Sequence, residues 1–517
     1  MSNINKKIVM IYPKMPVTFW TLDFSLPFAN KKAFMSPLGL ITVAAMIPKN
    51  YTIEFFDLNV TKLDENKIKE ADLVFLSAMI IQKESFNEIV NICHKHETPV
   101  VAGGPYPTTS HDKIENVDYF VLNEGEVTLP QFLADYEKGS PKKIYWDETK
   151  ADITKSPTPR FDLLNIDKYV TMTLQSSRGC PFNCEFCDVI EMFGRIPRYK
   201  TPDQFIKEME VLYNLNYRDV IFIVDDNFIG NLKKAKELLH VIINWQKQKD
   251  YPFVLSTNTT INLAQDEELL DLMVEAGFKI VFIGIETPSE EILTNINKKQ
   301  NLNEKILTSI EKIQKKGLEI MGGFVVGFDN EPKNIFDLQI NLIEQSSIVA
   351  ATVSLLMVLP KTQLYYRLQK EGRLLKEALG DNTTHTEINY IPTMPKEELI
   401  EGYKKIILEI YNPKNYFKRS LDFIKKIPVE KVIEGKLKAR KVLGKEKLYK
   451  IKIVIKSLIK QSFSSYGKHY LYFLLKVLKY NSIFLPHAIM FAMRGHHFFK
   501  TTDLVINKKE KKIKPKD

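Results

Sequence analysis

The sequence predicts an α/β protein in three parts: a doubly wound parallel sheet, an incomplete barrel of six β/α units, and a helical C-terminal region. Three observations predict it. Short apolar runs alternate with helix-length segments in two separate blocks, a proline-bearing stretch without a sustained period divides those blocks, and the strand signal stops near residue 395. A length of 517 residues accommodates about three domains of ordinary size.

The first block, residues 1–145, carries the runs KIVMIY (7–12), TIEFFD (52–57), DLVFLSA (72–78), PVVAGG (99–104) and DYFVL (118–122). Helix-like segments lie between them, for instance 36–49 and 83–96. Strands separated by helices of that length pair in parallel and carry helices on both faces. Several of these strands end in small or polar residues: Asp57, Ser77, the pair Gly103 and Gly104, and the triplet Asn123, Glu124 and Gly125. Ligands of open parallel sheets bind at such C-terminal ends, where glycine permits close backbone approach. Glycine that merely turns the chain explains one such end; a succession of them favours a ligand site.

Residues 146–168 read as a linker, within a wider stretch (139–165) that holds three prolines. The second block, 169–395, supplies six strand candidates at 171–177, 220–226, 253–258, 279–286, 319–328 and 351–360. Helical stretches such as 202–216 and 234–248 separate them. Chemistry in a β/α barrel collects at its C-terminal mouth. Residues 396–517 read as amphipathic, aromatic-rich helices, for example 396–411 and 469–480, and form a third domain.

Composition excludes several classes. With 44% hydrophobic and 26% charged residues the chain is too apolar for disorder and too charged for a polytopic membrane protein. Four cysteines exclude a disulfide-stapled secreted fold, and the first residues do not read as a cleavable leader, so a cytoplasmic protein is expected. The net charge of +10 is lopsided: residues 431–460 hold eleven Lys or Arg against two Glu. One local basic face suits an anionic contact such as phospholipid headgroups, and hence a peripheral position at a membrane surface; a solvated helix face is the plain alternative. Nucleic-acid binding would spread the basic charge more widely and is not expected. The tail KKEKKIKPKD (508–517) is expected to fray.

The sharpest signal is SSRGCPFNCEFCD (176–188), which places Cys180, Cys184 and Cys187 directly after the first barrel strand with the spacing C-x₃-C-x₂-C. Zinc normally closes its tetrahedron with four ligands, and the remaining cysteine, Cys93, lies in the other block. Three thiolates suit a [4Fe–4S] cluster with one iron left open. Other barrel-strand ends are polar or glycine-rich: Asp225, Asp226 and Asn227; Ser256 and Asn258; Glu286; Gly322, Gly323 and Gly327; and Leu359 with Pro360. A helix N-cap accounts for one residue of the Asp225–Asn227 group and not for all three.

Motif, position and six β/α units together resemble the radical S-adenosylmethionine (SAM) superfamily. The resemblance implies that SAM chelates the open iron and is cleaved reductively to a 5′-deoxyadenosyl radical. It assigns Phe186 to the adenine. It implies that Asp225, Asp226 and Asn227 receive the SAM ammonium or ribose or position substrate, and that Ser256, Asn258, Glu286, Gly327 and Leu359 line the SAM pocket. Residues 36–47, 55–60, 73–79, 100–108 and 118–129 resemble the Rossmann-like cobalamin-binding domain fused to many such enzymes. Ser77, Gly103, Gly104, Asn123, Glu124 and Gly125 would then line the corrin or its nucleotide tail. The stretch departs from the cobalt-ligating D-x-H-x-x-G motif, because Asn59 stands in the histidine's place and excludes lower-axial His ligation there.

The segments YPKMPVTFW (12–20), DDNFIGN (225–231), 388–403 and 487–500 narrow the resemblance to a subgroup with a C-terminal helical domain, that of the hopanoid C-2 methylase. It implies a cobalamin-dependent methyltransferase acting on an unactivated carbon of a small molecule or lipid, reduced by a flavodoxin or ferredoxin. Oxidation, cyclisation or carbon–carbon coupling without methyl transfer is the alternative that Asn59 leaves open. A non-enzymatic iron–sulfur redox sensor would require a DNA-reading element that the sequence does not display.

Overall fold

The computed structural model describes residues 6–438 and 444–507, with the side chains of 435–447 excepted. The tail 508–517 and the centre of the basic stretch 431–460 lie outside the described residues. The N-terminal sheet has six parallel strands in the order Tyr51–Asp57, Lys6–Tyr12, Leu73–Ser77, Val100–Gly103, Tyr119–Val121 and Ile144–Tyr145. Alternation along each strand loads both faces. Val9, Ile11, Val74 and Leu76 meet Phe86, Val90 and Cys93 of the helix Lys83–Lys95 on one side. Ile8, Met10, Leu73 and Phe75 meet Leu40, Ala44, Phe132 and Leu133 on the other. Cys93 is thus a core residue.

The six barrel strands form as the apolar runs predict: Tyr169–Leu174, Val220–Ile223, Val254–Thr259, Phe278–Glu286, Glu319–Val326 and Ala350–Leu355 lie side by side, all parallel, in a curled half-barrel. A seventh strand, which the sequence did not suggest, comes from the first block. Ala33–Met35 pairs with the first barrel strand, Ala33 opposite Tyr169 and Met35 opposite Thr171. The Ser36 and Thr173 hydroxyls meet at 2.7 Å just beyond it. The two α/β units are therefore stitched by a shared sheet edge as well as by the linker.

The C-terminal helices, from Lys396–Ile410 to Leu485–Asn507, pack on the barrel through buried charges. Arg494 of the last helix holds Glu319 of the fifth barrel strand at 2.7 and 2.8 Å, and Arg419, fully buried, donates to the carbonyls of Ile348 and Ile410. His497 reaches the Thr18 carbonyl at 2.9 Å and His496 the Tyr466 hydroxyl at 2.6 Å, so both are packing residues. Among the described residues no helix is long and apolar enough to cross a membrane.

Candidate active site

The three cysteines lie on the loop between the first barrel strand and the short helix Val189–Phe193. That loop is pinned at several points. Gly179, with φ of +97°, donates its amide to Asp226 at 2.8 Å; a side chain there would run into the Gly194 carbonyl. The Glu185 amide donates to Ile296, and its carboxylate takes the guanidinium of Arg367 from the helix after the sixth strand. Cys184 is buried, and Gln300 lies 3.7 Å from its sulfur. Burial pushes the Cys180 and Cys187 thiols up, so a metal bound there would have to displace their protons. Among the described residues no three His, Cys, Asp or Glu side chains meet at one metal-ion position. A cube asks for one sulfur per iron instead of convergence on one ion, and three cysteines on one short loop fit that demand.

A positive charge stands beside these sulfurs. Lys298, buried, reaches Glu286 at 2.7 Å and lies 5.9 Å from the Phe186 ring, which packs on Phe328. Burial opposes its ammonium, but Glu286 and the cysteines hold its pKa above the ordinary lysine value. Glu286 has φ of +66°, a left-handed conformation that turns the strand end toward this cluster.

The other barrel-mouth residues divide. Asp225 is fully buried and accepts from the Ser176 amide and from the Ser176 and Ser177 hydroxyls, at 2.6, 2.5 and 2.7 Å. It ties the second strand to the cysteine loop and presents no free oxygen. Asp226, half-buried, lines the main cavity; burial and the neighbouring Asp225 and Asp188 push its carboxyl up to about 6. Asn227 is 1% exposed with neither side-chain atom paired. Asn258 donates to the Asp225 carbonyl, and Ser256 is buried with its hydroxyl 3.4 Å from Ile221 O. Gly327, φ +109°, donates to Glu331 and accepts from the Tyr390 hydroxyl, which fills the space of a missing side chain. Leu359 is half-buried on the loop after the sixth strand. Gly322 and Gly323 make room for Phe324 and Phe282 respectively, not for a flat ligand.

The main cavity, about 540 Å³, opens between the two α/β units. Ser77, Gly103, Gly104, Asn123, Glu124 and Gly125 line it from the N-terminal strand ends; Gln175, Arg178, Phe193 and Asp226 line it from the barrel. Gly104 has φ of +87°, and a Cβ there would meet the Ser77 hydroxyl. Asn59 also lines the cavity, but its side chain accepts from the Met15 amide and donates to Asp57 and Pro13, so it serves as a loop clamp. A glycine floor beneath a wide space fits a planar macrocycle.

Two residues escaped sequence reasoning. Arg178 spans the seam to Glu124 and Glu126, and its place in SSRGC just before the first cysteine was the available signal. Lys298 lies in the lysine-rich NKKQN stretch, where nothing distinguishes a buried lysine from a solvated one.

Residues 26–133 match the B12 binding domain, 174–338 the radical SAM superfamily, and 362–511 a domain of unknown function (DUF4070). The chain is 38% identical over 502 residues to an uncharacterised methyltransferase of Synechocystis, covering 96% of this chain and 92% of the relative. It is 34% identical to the hopanoid C-2 methylase of Rhodopseudomonas palustris, covering 80% and 79%. Among solved structures the fold matches OxsB, a cobalamin-dependent SAM radical enzyme seen with aqua-cobalamin bound, at 15% identity and a TM-score of 0.61 over 98% of this chain and 80% of that one. It also matches the radical SAM methyltransferase TsrM of Kitasatospora setae at 17% identity and a TM-score of 0.56, over 71% and 78%. The chain belongs to the radical SAM superfamily, in the branch that carries a B12 binding domain ahead of the barrel.

Proposed function

We propose that this protein is a cobalamin-dependent radical SAM methyltransferase that places a methyl group on an unactivated carbon of an apolar, lipid-like substrate. The observation that carries the reading is the shared cavity: N-terminal strand ends and barrel mouth face one space, and Arg178, Met192 and Phe193, which flank the cysteine loop in sequence, stand on its wall. Bound there, the cluster with SAM supplies a hydrogen-abstracting radical and the corrin supplies the methyl group.

The chain's own residues do the rest. Cys180, Cys184 and Cys187 would hold the cluster; Lys298 and Glu286 set the charge beside it; Asp226 offers a carboxylate at the mouth, with the buried, unpaired Asn227 amide behind it. Gly103 and Gly104 clear the floor for the corrin, and Arg178 fixes the seam through Glu124. Apolar walls built by Trp20, Phe34, Leu38, Val43, Met46 and Phe75 exclude water from a reactive radical and suit an apolar substrate. A small flavin or iron–sulfur protein of the flavodoxin or ferredoxin class would deliver the electron.

The test is anaerobic turnover of the protein reconstituted with iron, sulfide and cobalamin, using SAM deuterated in its methyl group, a chemical reductant and a lipid extract. A lipid gaining one labelled methyl is the expected result. 5′-Deoxyadenosine without label transfer to any lipid would favour radical chemistry of another outcome.

A further inference from the structure

The helical hairpin made by Gly444–Ser462 and Gly467–Tyr480 carries an apolar face that no part of the described chain covers. On the first helix Leu448, Ile451, Ile455, Leu458 and Ile459 recur at three- and four-residue spacing and are all exposed, Ile459 at 60%. Such spacing places them in one stripe. The buried Ser457 and Gln461 lie on the opposite side, where Ser457 meets the Tyr470 hydroxyl of the second helix at 3.1 Å. Phe463, at the hairpin's turn, is 89% exposed. On the second helix Leu471 and Leu475 are exposed, Leu475 at 65%, while Tyr470, Phe473, Leu474 and Val477 face the core.

Charge identifies the occupant. From Leu448 to Thr502 the sequence contains no Asp or Glu, and Lys452, Lys468, Lys476 and Lys479 are exposed on the two helices. An apolar stripe on helices that carry exposed lysines and, from Leu448 on, no carboxylate of their own matches a bilayer surface with anionic headgroups: the apolar side chains enter the acyl boundary while ammonium groups meet phosphate. A solvated helix face would not expose leucine, isoleucine and phenylalanine together at these spacings. Position supports the same occupant. Tyr449 donates to the Ala29 carbonyl, at the end of the turn Leu26–Ala29, and Leu26, Lys32 and Ala33 line the main cavity.

We propose that this hairpin docks the protein on an anionic membrane and sets the cavity mouth toward the lipid phase. The proposal rests on surface geometry and charge, not on the methyl-transfer reading, and its test needs no cofactor. The full chain is floated with vesicles of phosphatidylglycerol and phosphatidylcholine, and with vesicles of phosphatidylcholine alone. Strong flotation with the anionic vesicles is expected, falling at least tenfold with phosphatidylcholine alone. The variant I455E/I459E alters only exposed positions; it should keep its helical circular dichroism and melting temperature while losing flotation. K452E/K476E/K479E should lose the preference for anionic vesicles. Retained flotation of folded I455E/I459E overturns the proposal. So does absence of wild-type flotation combined with a wild-type oligomer that I455E/I459E splits into monomers, because the face would then belong to a second copy of the chain.

Discussion

The guanidinium of Arg178 lies 2.8 Å from Glu124 and 2.7 Å from Glu126, and Glu124 also holds Arg198 at 2.9 Å. The two glutamates begin the helix Gly125–Glu137 of the N-terminal unit, whereas Arg178 stands immediately ahead of the cysteine loop. The pair therefore couples the floor of one proposed cofactor site to the loop of the other. All these groups are at most 18% exposed, so removing one partner leaves an uncompensated buried charge. Arg178→Ala should cost about 3–5 kcal/mol in chemical denaturation, with partial recovery in R178A/E126Q. A loss below about 1 kcal/mol would show that the seam is held mainly by the strand pairing of Ala33–Met35.

The same pair sets a pH dependence. Burial works to raise the Glu126 carboxyl, but Arg178 and the Ser156 hydroxyl outweigh it and hold it at about 2, below its ordinary 4.5. A carboxyl depressed in the folded state gives stability that is complete above the unfolded value and is lost as pH falls from about 4.5 toward 2. The amount is about 3 kcal/mol. Thermal melts from neutral pH to pH 3 should show about two-thirds of this loss in the wild type and a shallower one in Glu126→Gln.

Much of this arrangement was legible in the sequence, for physical reasons that differ by element. Apolar runs bounded by polar residues announced the strands because a strand buried on both faces must be apolar throughout, as Ile8–Ile11 is. Ala33–Met35 was not legible: three residues between two lysines and a Ser-Pro pair carry no period, and only the waiting edge of Tyr169–Leu174 makes them a strand. The Asp225, Asp226 and Asn227 cluster was visible, but its division of labour was not. Alternation along the chain sends one carboxylate into the Ser176–Ser177 turn and the next into the cavity, and that depends on a loop folded over the strand end. The place of Glu124 at a strand end suggests a cofactor contact; it lines the cavity but spends its oxygens on arginines that sequence alone could not bring to it.

Cys184→Ala tests the cluster separately from the fold. The side chain is small, so stability should change by no more than about 1–2 kcal/mol. Iron and acid-labile sulfide after reconstitution should fall, and 5′-deoxyadenosine formation from SAM should vanish. Cleavage that persists in the folded variant removes these thiolates from the chemistry.

Lys298 and Glu286 make a second buried pair beside the sulfurs. Lys298→Met removes a positive charge there, so the reduction potential of the reconstituted cluster should become more negative, measured by redox titration with electron paramagnetic resonance. Lys298→Arg should restore most of the potential. A merely structural lysine would change stability and leave the potential where it was. The single variant also strands Glu286 and should lose about 3–5 kcal/mol, recovered in part by adding E286Q.

A substitution at Gly104 tests the proposed corrin site separately from the proposed cluster site. Its φ of +87° already disfavours any other residue, and Ser77 Oγ stands 2.5 Å from where a Cβ would be, on the floor of the cavity. Gly104→Val should therefore strain the turn by about 1–2 kcal/mol and raise the floor under a planar ligand. Cysteines 180, 184 and 187 stand on a different loop, which the substitution does not touch. The variant should lose cobalamin on desalting, lose methyl transfer, and still cleave SAM to 5′-deoxyadenosine. If folded G104V keeps stoichiometric cobalamin through the column, the macrocycle does not rest on the Gly103–Gly104 turn, and the floor assigned to it belongs to another ligand.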